Sequence, residues 1–212
     1  MKPLRVKVSG DFALFTRPEA KVERVSYPIM TPSAARGIVE SILWKPEIRW
    51  EITSIQVLKK PTLHSIVRNE VSNKATINKK IMQNPVDIFT DKYRQLRHSL
   101  MLKDVAYIIE AHIHLQENAV GPLEKYRAMF HRRVKKGQCF YRPYLGTREC
   151  SAHFSLPEEN DLPIDWNESL GPIFFDYRYS KNGQITIPYF FEAEITHGTM
   201  HIPSYLYQEV NR

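Results

Sequence analysis

Cysteine is scarce in this chain: Cys139 and Cys150 are the only two in 212 residues. Two thiols cannot build a disulfide framework and they form no metal motif, so a reducing, cytoplasmic setting is the expectation. Long apolar runs are missing as well. None approaches the roughly 18 residues that a membrane-spanning helix requires, so no membrane partner is expected. The opening stretch Met1 to Val8 alternates polar and apolar residues like a strand and lacks the apolar core of a secretory signal. There is no internal repeat and no low-complexity tract. What remains, with 42% hydrophobic residues, suits a folded globular protein of one large domain, or a domain with a small companion.

Acidic residues are absent from one place in particular. From Glu124 to Arg148, Glu124 is the single carboxylate against eight cations: Lys125, Arg127, Arg132, Arg133, Lys135, Lys136, Arg142 and Arg148. That segment alone carries +7, equal to the whole chain. Residues 1–123 hold 19 basic and 12 acidic side chains, and residues 149–212 hold three and ten, so a basic front precedes an acidic tail. Tyr126, Phe130, Phe140, Tyr141 and Tyr144 are interleaved with the central cations. Cations neutralise phosphates and aromatic rings stack on unpaired bases, so the composition points to a nucleic-acid surface.

Periodicity supplies the scaffold. Leu4, Val6 and Val8 alternate, and Gly10-Asp11 bends the strand before Phe12 to Phe15. Thr31-Pro32 is an N-cap followed by a first-turn proline; Ala35, Ile38, Val39 and Ile42 recur at helical spacing, and Lys45-Pro46 stops the helix. Residues 48–57 alternate as a strand. Residues 59–95, polar and weakly periodic, read as an insertion with a short hairpin and a mobile loop. Val105 to Leu115 is a strand, and Gly121-Pro122 opens a second helix with Leu123, Tyr126, Phe130 and Val134 as its apolar stripe and Gly137 as its C′ residue. On that helix Lys125, Arg132 and Lys136 line one flank, while Arg127, His131 and Lys135 line the other. Phe140 to Phe154 reads as a strand interrupted at Gly146. The order β-α-β-(insert)-β-α-β predicts an α+β fold with a ferredoxin-like, RRM-like domain over 1–156. A Pro- and acid-rich linker over 157–167 then leads to a small antiparallel sheet over 165–212, with Lys181-Asn182-Gly183 as a hairpin turn.

Four strings in fixed order carry a further signal: Gly10-Asp11-Phe12-Ala13-Leu14-Phe15-Thr16, Ser41-Ile42-Leu43-Trp44-Lys45-Pro46, Leu102-Lys103-Asp104-Val105 and Leu145-Gly146-Thr147-Arg148-Glu149-Cys150. Together they resemble the Cas5 family of CRISPR-associated proteins, in the d-type variant of subtype I-C systems. The resemblance implies a ferredoxin-like (RAMP superfamily) domain with a C-terminal antiparallel sheet. It also implies cleavage of the CRISPR precursor transcript at the base of each repeat hairpin, without metal or other cofactor. The mature guide RNA would stay bound by its 5′ tag, and the other subunits of the effector complex would be partners.

Such cleavage uses the adjacent 2′-OH as nucleophile and leaves a 2′,3′-cyclic phosphate and a 5′-OH. It needs a base, an acid and a cation for the crowded phosphate; acid–base help is worth about 10²–10⁴ in rate, and positioning and charge supply the rest. The family's usual constellation is a tyrosine near the end of the first helix and a Lys-His pair at the start of the second. Leu43 occupies the tyrosine position here, and Glu124 and Lys125 occupy the pair. Lys125 is thus the cation expected to act in catalysis, with His131 as a candidate base and Tyr126 as a third candidate, although Tyr126 also fits the apolar stripe of its helix. His98, close by in sequence, is a weaker option.

Expected phosphate contacts are Arg127, Arg132, Arg133, Lys135, Lys136 and Arg148, with Arg36 and Lys45 on the first helix. His112 and His114 share a strand face but lack further ligands at supporting spacing, so metal binding is not expected. Two other readings stay open: a non-catalytic subunit holding the 5′ tag of the guide, and a general module for RNA or duplex DNA.

Overall fold

The computed structural model describes residues 2–20, 22–72, 90–179 and 185–210. The described chain runs β1 (Leu4–Ala13), β2 (Arg24–Val25), α1 (Pro32–Ile42), β3 (Ile48–Lys59), β4 (Thr62–Val71), a 3-10 turn (Thr90–Tyr93) and β5 (Arg94–Leu115). There follow α2 (Leu123–Lys135), β6 (His153–Ser155), β7 (Glu168–Tyr179), β8 (Ile185–Thr196), β9 (Thr199–His201) and α3 (Tyr205–Val210). The result is a mixed α+β protein dominated by one sheet in the order β6-β1-β5-β3-β9-β8-β7, with β2 and β4 also on β5. Every pairing is antiparallel except the short β2–β5 contact.

Period-two patterning places the core. Val6 and Val8 of β1 lie opposite Ile109 and Tyr107 of β5, and Trp50 and Ile52 of β3 lie opposite Ile113 and Ala111. All eight are buried in one cluster with the apolar stripes of α1 and α2. Burying side chains of this size contributes about 1.5–3 kcal/mol each, as an upper estimate. Trp50 and Phe130 seat α2 on the sheet, their ring centroids 4.8 Å apart.

Both predicted helices form, α2 with its predicted ends and α1 with its predicted start, although α1 already stops at Ile42, three residues before Lys45-Pro46. Thr31 Oγ1 accepts the Ala34 N–H at 3.3 Å and Pro32 opens α1. At the end of α2, Gly137 takes φ +63°. Its N–H donates to Val134 O and the Gln138 N–H donates to Arg133 O, which is the double hydrogen bond of a Schellman cap.

Three expectations need correction. The strand over 140–154 shrinks to His153–Ser155, because the N–H groups of Phe140 and Tyr141 turn to Ser41 O of α1 at 2.8 and 3.1 Å rather than to a neighbouring strand. The insertion is longer-stranded than expected: β4 pairs β5 from Thr62↔Lys103 to Val71↔Arg94, so β5 begins eleven residues before the predicted Val105. The loop expected within it and the turn Lys181-Asn182-Gly183 lie outside the described residues. Finally, the C-terminal segment adds the helix α3. Its Tyr207 hydroxyl accepts the Ile52 N–H at 2.8 Å and donates to Ile52 O at 3.2 Å, filling the irregularity in the β3–β5 register between Ile52 and Ser54.

Candidate nucleic-acid interface

A helix C-terminus leaves carbonyls without partners and carries partial negative charge. At the end of α1 those carbonyls organise the surface. Ser41 O accepts from Phe140 and Tyr141, Ile42 O accepts from the Arg133 guanidinium at 2.6 Å, and Leu43 O accepts from the Trp50 indole at 2.9 Å. The loop that follows α2 is thereby pinned beside α1. Its far end is fixed by backbone sterics: Gly146 sits at φ +88°, and a Cβ there would lie 2.1 Å from Leu14 O. Only glycine allows this approach. Leu145 O accepts from Leu14 N–H at 3.0 Å, and Tyr144 bridges to Ser151.

Between α1 and this loop runs a cleft of about 830 Å³, with Trp44, Tyr141, Tyr144, Arg142 and Arg148 on its walls and Gly37 and Glu40 of α1 on its helical side. A smaller cavity of about 280 Å³ continues it toward Thr31, Phe15 and Gly146. The rings are open to solvent: Trp44 is 55% and Tyr141 69% exposed. Phe140 and Tyr141 pack edge to face, centroids 4.5 Å apart. Glu40 is held by Arg36 at 3.7 Å, and burial raises its carboxyl above the ordinary range against the opposing pull of Arg36.

The predicted site residues separate into groups. Lys125 is exposed; its ammonium donates to Val120 O at 3.0 Å and lies 5.5 Å from the Tyr126 ring centre. Tyr126 is buried, its hydroxyl donating to the same Val120 O at 3.4 Å, and burial with Glu47 nearby raises its phenol. Leu43, at the family's tyrosine position, is fully buried. His131, Arg132, Lys135 and Lys136 are exposed and make no ion pair among the described residues. Six positions turn a helical side chain by about 240° and advance it about 9 Å, so Lys125 and His131 leave α2 on different flanks. Arg132 shares the Lys125 flank.

Other cations are already engaged. Arg127 donates to Lys2 O at 2.9 Å, Arg133 caps α1, and Arg36 meets Asp176 of β7 at 2.7 Å. Burial raises the Asp176 carboxyl, and Arg36 opposes that shift. Lys45 is half-buried just past α1, while Arg148 is exposed on the cleft. His98 is exposed, and its backbone N–H donates to the Glu23 carboxylate. His114 Nε2 lies 2.9 Å from Glu51; the described residues hold no group of three His, Cys, Asp or Glu side chains placed to share a metal.

Trp44 and Glu40 were not singled out from the sequence. A signal existed for Trp44: it falls two positions beyond Ile42, about 200° away from the buried stripe of α1, where a tryptophan has no core to enter.

Fold and surface together define a class: α+β proteins on one mainly antiparallel sheet that turn a cationic helix and a groove of unsheltered rings toward solvent. A family described as CRISPR-associated protein (Cas5), of the Cas5d type, matches residues 3–174. Two relatives called "CRISPR pre-crRNA endoribonuclease Cas5d" align over nearly their whole length. That of Thermus thermophilus is 43% identical, covering 100% of this chain and 96% of its own. That of Mannheimia succiniciproducens is 42% identical, covering 99% and 98%. Among solved structures, one described as a CRISPR-associated protein superposes with a TM-score of 0.70 at 24% identity over 96% of this chain and 92% of its own. A functionally uncharacterised protein of Streptococcus mutans gives 0.67 at 22%, over 95% and 92%; both support the fold. The chain belongs to the Cas5d family.

Proposed function

We propose that this protein is a CRISPR pre-crRNA endoribonuclease. It cuts the precursor at the base of repeat hairpins by 2′-OH attack and retains the 5′ tag as a subunit of the effector complex. Full-length similarity to two relatives bearing the endoribonuclease name carries this reading. The strand order β6-β1-β5-β3, with α1 and α2 as its crossovers, supports a ferredoxin-like platform for it.

Lys125 would stabilise the charge of the phosphate in flight, and His131 would move the proton. Tyr126 would act from beneath, anchoring the Val120 carbonyl against which Lys125 rests. Arg132, Lys135 and Lys136 would hold the RNA backbone, an electrostatic role in which exposure is the requirement.

The test is incubation with the cognate repeat hairpin in EDTA, and again with a 2′-deoxy nucleotide at the scissile position. Cleavage that persists in EDTA and vanishes with the deoxy substrate is expected; tight binding of RNA that stays intact in both would replace the nuclease with the tag-holding subunit. Lys125→Ala should lower single-turnover cleavage about 10²-fold or more while leaving affinity within a few-fold. His131→Ala, on the other flank, should lower it by a similar factor and flatten the pH–rate profile.

A further inference from the structure

We propose that the groove between α1 and the loop 140–151 is a stacking site for an unpaired RNA base, held against Trp44 and the Phe140–Tyr141 pair. This rests on the RNA-processing reading but concerns a different part of the surface from the exposed flanks of α2.

Four observations converge on it. First, exposed aromatic rings are costly to leave in water, yet Trp44, Phe140, Tyr141 and Tyr144 are 55%, 60%, 69% and 42% exposed along one short stretch of surface. Second, the backbone that bears two of the rings is held in place: the N–H groups of Phe140 and Tyr141 are both bound to Ser41 O, and Gly146 packs the loop against Leu14 just past the end of β1. A backbone already ordered loses little freedom when a base stacks on the rings it carries. Third, the cleft volume of about 830 Å³ is that of a small-molecule pocket, fitting a nucleoside or two and not a stem. Fourth, the charges set an orientation. Arg142 and Arg148 line the cleft as cations for the backbone, whereas Glu40 on the α1 side repels phosphate and can accept an N–H from a base edge. Gly37 faces the cleft from α1 with open space where a Cβ would stand, so the helix presents no side chain there.

The base therefore enters with its edge toward α1 and its phosphates toward the arginines. The consequence for the reaction is positioning: a hairpin flank anchored here fixes how the strand reaches α2.

The probe is a fluorescein-labelled repeat hairpin with its unpaired flank, the scissile 2′-OH removed, and one abasic nucleotide walked along the flank. At one or two positions loss of the base should weaken binding about five- to 100-fold. In Trp44→Ala and Tyr141→Ala the intact RNA should bind as weakly as that abasic form, and the abasic substitution should then cost nothing further. A second readout uses tryptophan emission. Trp50 and Trp166 are 1% and 8% exposed, so Trp44 is the indole that RNA can quench. Quenching should disappear in Trp44→Phe, which keeps the affinity.

The proposal is overturned if every abasic RNA binds like the intact one, or if Trp44→Ala keeps the full abasic penalty. Both outcomes are independent of cleavage. A protein that shows the abasic penalty but never cuts would remove the endoribonuclease and leave the groove.

Discussion

Arg133 and Lys135 stand two positions apart on α2 and do different work. The first is inserted against the Ile42 carbonyl at 2.6 Å, and the second points into solvent. A charged hydrogen bond to a half-buried carbonyl contributes about 1.5–3 kcal/mol. Arg133→Met should therefore lower the urea unfolding free energy by about that amount and shift the salt dependence of RNA binding little. Lys135→Ala or Lys136→Ala should do the reverse, leaving stability unchanged and reducing the log–log salt slope by about 0.7–0.9.

Tyr207 is a second residue whose role lies away from the candidate interface. Tyr207→Phe strands both the N–H and the C=O of Ile52, and should cost about 1–3 kcal/mol in the same unfolding measurement.

Glu40 gives a pH signature. Its folded-state carboxyl is raised by burial, so the folded protein binds its proton more tightly than the unfolded chain does. Stability associated with that proton is present below the unfolded value and lost as pH rises through the folded one. Against Glu40→Gln, the wild type should match in acid and become relatively less stable toward neutral pH. Equal differences at both ends would show that this carboxyl does not titrate across the transition.

At the scale of elements, the loop 140–151 is the piece that makes the surface, and its two anchors are backbone features. Gly146→Ala places a Cβ against Leu14 O and forces alanine to φ +88°. The left-handed conformation alone costs about 1–3 kcal/mol. Melting temperature should fall, and RNA affinity should fall with it although Gly146 has no side chain to touch RNA.

The helices were legible because their signals are local. Thr31-Pro32, the stripe Ala35-Ile38-Val39-Ile42 and Gly137 each act within a turn of themselves, and each does in the structure what the spacing predicts. The loop was not legible as a loop. Phe140 to Phe154 has the aromatic content of a strand, and what overrides it is a distant carbonyl, Ser41 O, that no local pattern announces. The same holds for β5. Its first ten residues, Arg94 to Lys103, carry Arg, Gln and His on exposed positions, so the alternation that marks a half-buried strand is weak until the partner strand β4 is known. At the candidate site, a count of cations could not tell Arg133, whose guanidinium is spent on a carbonyl of α1, from Lys135, which is exposed.

For the molecule as a whole, the excess of charge is concentrated on the central segment, while the ten acids beyond residue 148 are spread over the last strands and their connections. One of them, Asp161, pairs with Lys7 of β1 at 2.5 Å, so part of the tail is fastened to the sheet rather than left to compete with RNA. β9 joins the C-terminal strands to β3, which makes the sheet continuous from β6 to β7.

The length of β5 has a consequence for synthesis. Among the described residues β1 pairs only with β5 and β6, and β3 only with β5 and β9. Both early strands must wait for a partner that leaves the ribosome after them. At about 5–20 residues per second, β1 spends several seconds as an unclaimed strand edge. The eleven-residue α1 is too short to persist alone in the meantime. Nascent chains arrested before residue 94 has emerged should remain fully protease-sensitive, and protection should arrive in one step once the strand to Leu115 is clear. The N-terminal half of this protein is thus translated first and folds late.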